Sequence, residues 1–333
     1  MLQNRVRRHL PILAALGAIV LIAGVAGFYY SRPAKSQRAD VRQTATRGHS
    51  ASARTPVADS APARPPVGHA APARPPVAGA WALSFDDEFS HLSRRIWQRR
   101  LWWNGDTAWP TDELQVYEPF GVTVGRGHLV LTARRASVPL VNWKGHASDS
   151  SGEPFSWTSG LVSSGGIMGV APIGFAQRYG YFEARIKMPA RGAGFLPAFW
   201  LQGVNGKNGS PASHYSDKSE IDIVEVHAAD PNTILVHLHD AAHFAASYPS
   251  PTKVLGGGYH TYGVDWEPGH VAWFYDGKKI AQYNGTALND QPPHYILLNL
   301  AVGGTPHSFA GTANRSTPSP ARMMVDFVRV WRH

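Results

Sequence analysis

Residues 81–333 are predicted to form an all-β sandwich or barrel, and three observations carry that expectation. In residues 181–188, Phe182, Ala184, Ile186 and Met188 alternate with Tyr181, Glu183, Arg185 and Lys187, the period of two that a half-buried strand requires. Asp276-Gly277 lies between two short apolar runs, a two-residue hairpin signal, since both turn positions need positive φ. Beyond residue 30 no long amphipathic helical pattern occurs. Short strands separated by Gly- and Pro-rich turns therefore account for the rest. Residues 295–301 and 323–331 read as largely buried strands.

Residues 1–9 form a basic N-terminus with Arg5, Arg7 and Arg8. Residues 10–30 are an apolar run. As a helix it would be about 30 Å long, enough to cross a bilayer core. Phe28, Tyr29 and Tyr30 would sit at the far interface. A membrane anchor with a cytoplasmic N-terminus and an exported domain is the expectation, and a cleaved signal peptide is the alternative. Residues 31–80 are rich in Ala, Pro, Arg, Ser and Thr, and residues 61–67 and 71–77 both read Ala-Pro-Ala-Arg-Pro-Pro-Val. Such a stretch buries little and is expected to be a disordered, extended linker.

The formal net charge of the chain is +9. Residues 1–80 contain 11 Lys+Arg against 2 Asp+Glu, while residues 81–333 contain 21 of each. The folded part is thus neutral, which argues against a nucleic-acid partner. With no cysteine, disulfides, thiolate catalysis and cysteine metal sites are excluded. A monomer that requires no cofactor is expected.

Chemistry concentrates in Glu220-Ile-Asp-Ile-Val-Glu225. In a regular strand Glu220 and Asp222 share one face, and Glu225 falls on the other with the isoleucines. A glutamate facing the core would be costly. A β-bulge near Ile223-Val224, with Val224 as the extra residue, returns Glu225 to the face of the other two carboxylates. A solvated acidic strand and a calcium cluster are the competing readings. Two glutamates one bulged step apart can hold their carboxyls about 5–5.5 Å apart, the spacing of retaining glycoside hydrolysis.

The same residues resemble the signature of glycoside hydrolase family 16, in its laminarinase-like, bulged form. Phe85-Asp-Asp-Glu-Phe89, Asp112-Glu-Leu-Gln-Val-Tyr117, Trp157-Thr-Ser-Gly160 and residues 179–189 are similar to further family landmarks. So are Pro197-Ala-Phe-Trp200, Tyr262-Gly-Val-Asp-Trp266, Asn299-Leu-Ala-Val-Gly-Gly304 and residues 325–331, all in family order. The resemblance implies a β-jelly-roll of two curved antiparallel sheets with a glycan cleft. It implies Glu220 as nucleophile, Asp222 as its helper and Glu225 as general acid/base. It implies an endo-acting hydrolase of β-1,3- or mixed β-1,3/1,4-glucan. An envelope transglycosylase or exopolysaccharide-processing enzyme, and an inactive carbohydrate-binding module, are the alternatives. Leu196 departs from the pattern, since the family often has a tryptophan there.

Sugars pack their apolar C–H faces on flat rings, so Trp200, Trp266 and Trp103 are expected platforms. His237 and His239 share a strand face and are expected to hydrogen-bond in the cleft. They also read as a zinc pair, but no third ligand stands at useful spacing. Asn299 and Gln115 are expected sugar hydrogen-bonders by resemblance. Glu88 and Asp326 match the positions of a structural calcium in family members.

Overall fold

The computed structural model describes residues 74–108, 111–204, 220–227, 230–239, 244–304 and 308–333. The chain divides into two units, Met1–Val67 and Gly68–His333. The first, with the expected anchor, lies outside the described residues. Among the described residues no helix is long and apolar enough to cross a membrane.

The described part is a two-sheet β-sandwich without an α-helix. The larger sheet contains β2 (Gln115–Tyr117), β4 (His128–Arg135), β5 (Trp157–Ser159), β8 (Gly180–Lys187), β13 (Tyr259–Glu267), β14 (His270–Tyr275), β15 (Lys278–Asn284) and β17 (Ala321–Arg332). Their order is β15-β14-β13-β8-β17-β4-β5-β2, with β1 (Ala82–Asp87) beside β17 and β3 (Val122–Gly125) beside β4. The second sheet contains β6 (Leu161–Ser163), β9 (Phe195–Gly203), β10 (Glu220–Glu225), β11 (Thr233–His239), β12 (Phe244–Pro249) and β16 (His294–Val302). These run β12-β11-β10-β9-β16-β6, with β7 (Ala176–Gln177) beside β16. Pairing is antiparallel throughout except for β2 with β5, which run parallel; the expectation of purely antiparallel sheets fails there.

Strand alternation builds the core. Phe182, Ala184 and Ile186 of β8 meet Ile221, Ile223, Phe199 and Leu201 of the second sheet in one buried cluster. The predicted hairpin joins β14 and β15, with Asp276 at φ 46° and Gly277 at φ 74°, the paired positive φ values of a tight β-turn. The folded unit reaches further back than residue 81. Pro75 is buried, and Val77 packs against the cluster of Tyr181, Phe274 and Trp331. The expected linker therefore ends in an ordered segment, because Val77 finds an apolar face to cover.

Two expected site assignments belong elsewhere. Trp266 is fully buried in the intersheet core, 4.9 Å from the Tyr179 ring and 4.4 Å from that of His294. Tyr262, Val264 and Trp266 share the inward face of β13, so Trp266 is no sugar platform. Trp266→Ala should cost about 3–5 kcal/mol of folding stability, read as a lowered denaturant midpoint. The calcium expectation meets a poor fit. Glu88 pairs with the Arg329 guanidinium, and Asp326 pairs with Arg185 at 2.5 Å and His128 at 3.1 Å. Each carboxylate is engaged by a guanidinium, Arg329 or Arg185, whereas calcium needs six to eight oxygens; these side chains do not fit such a site.

Candidate active site

The strand β10 is bulged. Against β9, Asp222 pairs with Trp200 and Val224 with Phe199, so the extra residue is Ile223, not Val224. Against β11, Asp222 pairs with His237 and Glu225 with Leu235. Three steps on β10 thus oppose two on β11, which restores the parity of Glu225. Ile223 and Val224 both go into the core, at 1% and 0% exposure. Their burial draws the bulge inward. From the opposite sheet Trp273 donates its indole N–H to the Asp222 carbonyl at 2.8 Å, so a backbone acceptor at the bulge is satisfied in the core.

The result is a cleft of about 310 Å³ with Glu220, Asp222 and Glu225 together in its wall. Alternation on β9 supplies Leu196, Ala198, Trp200 and Gln202 to the same cleft. Strand β11 supplies His237 and His239, and β16 supplies Asn299. Trp103 lines it too. Gly105 makes room for Trp103, since a Cβ there would come within 2.1 Å of the indole nitrogen.

Each carboxylate has a distinct partner. Gln202 donates Nε2 to Glu220 Oε2 at 3.2 Å. His237 Nδ1 lies 2.7 Å from Glu225 Oε2, and His239 Nε2 lies 3.1 Å from Asp222 Oδ2. Burial is the main force lifting Asp222 to a pKa of about 6; the Glu225 charge adds to it, and the two histidines oppose it. The hydrogen bond to Asp222 is the main cause that raises His239 to about 9, against burial and with help from the charges of Asp222, Glu220 and Glu225. For His237, burial pulls the pKa down, but the hydrogen bond and charge of Glu225, with Asp222, outweigh it and raise the imidazole.

Trp200 is held by a relay. Its indole N–H donates to Asn299 Oδ1 at 2.8 Å, and Asn299 Nδ2 donates to Tyr117 OH at 3.0 Å. Asn299 thus stands in the cleft as expected, with its amide also fixing a tryptophan. Gln115 is different. It is fully buried, accepts from the Val302 N–H at 2.7 Å and donates to Glu113. It lies behind the cleft wall and cannot meet a sugar, which corrects the expectation.

Glu113 and Phe309 also line the cleft, and sequence reasoning misses both. Glu113 sits inside the Asp112–Tyr117 motif, so a signal is present without a role attached to it. Phe309 is 48% exposed, with its ring centroid 5.7 Å from that of His237; nothing local in the sequence marks it. Burial lifts Glu113 to a pKa of about 7, with hydrogen bonds from Gln115 and Thr111 opposing and the Glu225 charge reinforcing. The folded protein therefore holds this proton more tightly than the unfolded chain. Stability from Glu113 is present below the ordinary glutamate pKa and is lost as pH rises through about 7. Glu113→Gln should flatten the fall in melting temperature between pH 5 and 8, removing about 3 kcal/mol of pH-dependent free energy at most.

The comparisons agree with this geometry. A model described as glycosyl hydrolases family 16 matches residues 122–328. The chain is 32% identical over 269 residues to the endo-1,3-1,4-beta-glycanase EglC of Rhizobium meliloti (strain 1021), covering 74% of this chain and 51% of that protein. It is 30% identical over 269 residues to ExsH, an endo-1,3-1,4-beta-glycanase of the same organism, with the same coverage. The chain thus spans about half the length of these curated relatives. The laminarinase catalytic domain from Thermotoga maritima MSB8 superposes with a TM-score of 0.61 at 26% identity, covering 77% of this chain and 99% of that one. With a bulged tri-carboxylate strand in a jelly-roll cleft and a family match over most of the folded part, the chain belongs to glycosyl hydrolases family 16.

Proposed function

We propose that the protein is a retaining endo-glycosidase that cleaves β-1,3- or mixed β-1,3/1,4-glucan by double displacement. The observation that carries the reading is the bulge at Ile223, which turns Glu220, Asp222 and Glu225 toward one cleft. Glu220, oriented by Gln202, attacks the anomeric carbon while Glu225 protonates the departing glycosidic oxygen. Glu225 then takes a proton from the water that opens the glycosyl-enzyme. His237 Nδ1 lies 2.7 Å from Glu225 Oε2, so the imidazole orients the carboxyl that serves the leaving oxygen. Asp222, between the glutamates and tied to His239, restrains the nucleophile.

The EglC and ExsH names support a mixed-linkage glucan. The test is a panel of laminarin, lichenan, cellulose and carrageenan with chain-length analysis of products. Internal cleavage of the first two supports the reading, and exclusive cleavage of another polymer overturns it. Added oligosaccharide acceptor separates hydrolysis from transglycosylation. Trp200→Ala should raise KM by roughly 10–100-fold with a smaller change in kcat, because a stacking surface binds ground and transition states alike. We also place the enzyme outside the cytoplasm, as a monomer tethered by residues 10–30. Arg5, Arg7 and Arg8 ahead of the apolar run support that orientation, and membrane fractionation with protease accessibility tests it.

A further inference from the structure

We propose that Asp222, His237 and His239 form a binding site for a borderline divalent transition-metal ion such as Zn²⁺, and that occupancy of this site switches the cleft off. In sequence His237 and His239 are a pair without a third ligand. The fold supplies it: in the register of β10 with β11, Asp222 stands opposite His237. The three ligand atoms all lie within 4.8 Å of one another. Asp222 Oδ2 is 3.1 Å from His239 Nε2 and 3.9 Å from His237 Nδ1. Two ligands bound to zinc at tetrahedral angles stand about 3.4 Å apart, given bonds near 2.1 Å. The two separations from Asp222 bracket that value, and the third, between the imidazole nitrogens, is within 4.8 Å, so an ion can be taken up by small shifts of side chains carried on paired strands.

The donor set selects the ion. Two imidazoles and one carboxylate suit Zn²⁺, Co²⁺, Ni²⁺ or Cu²⁺, whereas Ca²⁺ and Mg²⁺ demand more oxygen donors. Glu220 and Glu225 line the same cleft and add negative charge around the ligands. Access is open, because the His239 side chain is 54% exposed. Metal binding at His237 Nδ1 breaks its 2.7 Å contact with Glu225 and ties down Asp222, and the ion occupies space the sugar needs. Inhibition should therefore be reversible and competitive with glucan; only this arm rests on the proposed glucanase activity.

The test is calorimetric titration of the EDTA-stripped full chain with ZnCl₂ in a non-chelating buffer. One strong site per chain is expected. His237→Ala/His239→Ala should weaken it by at least about 100-fold, because two direct ligands are lost, with circular dichroism confirming the fold. Glu220→Gln, devoid of activity, should still bind Zn²⁺, and Co²⁺ should give the visible absorption of a low-coordinate site in it. A wild type that binds no Zn²⁺, or a folded double histidine variant that binds it equally well, would overturn the proposal. Binding without inhibition of glucan cleavage would overturn the switch.

Discussion

Glu220→Ala is expected to lower glucan hydrolysis by at least about 10⁴-fold, since no covalent intermediate forms without the nucleophile. The loss alone does not identify the role, because any disruption of the cleft lowers activity. Azide makes the distinction. With an activated β-aryl glycoside, azide enters the space left by the carboxylate and attacks the anomeric carbon from the face opposite the leaving group. The product is an α-glycosyl azide, read by proton NMR. The variant should fold normally, because Glu220 is only half-buried and its backbone remains paired with Gln202 and His239. A β-azide from this variant would mean that Glu220 is not the nucleophile.

Glu225→Ala is expected to lower hydrolysis of the natural polymer by about 10²–10⁴-fold, the usual contribution of a general acid. The first step should remain fast with a dinitrophenyl leaving group that needs no proton. The second step then stalls, and azide opens the glycosyl-enzyme with retention to give a β-glycosyl azide. Mass spectrometry should meanwhile find the trapped adduct on Glu220. The substitution also strips His237 of its 2.7 Å partner, so the basic limb of the pH profile should change with it. Equal loss on activated and natural substrates would remove the general-acid role.

The two variants share a strand whose irregularity is legible in its parity. Glu225 cannot sit in a core lined by Ile221 and Ile223, so the residue pattern by itself requires a bulge. Parity does not choose between two adjacent apolar residues that both end in the core. The register with β9, which pairs Val224 with Phe199, places the extra residue at Ile223. Trp266 shows the opposite error. Its spacing from Val264 and Tyr262 assigns it to a single strand face, and that face is the core. The family landmark that contains it marks a packing position rather than a cleft position. Gln115 fails for a related reason, since its motif lies beside the cleft while its amide supports Glu113 from behind.

From its sequence alone, this protein can be read as an all-β domain, with a hairpin at Asp276-Gly277 and three carboxylates meeting on one strand face. These are local properties, set by a period of two and by turn chemistry, and they survive wherever the strand is placed. Only the tertiary structure decided which residues from other strands meet those carboxylates. It set His237 against Glu225, joined Asp222 to both histidines, brought Phe309 to the cleft and buried Glu113 within reach of the Glu225 charge. Such contacts depend on register between segments far apart in the chain, and on the burial that follows from it. A strand's own residues carry the pattern of its two faces, but its neighbours determine what each face touches.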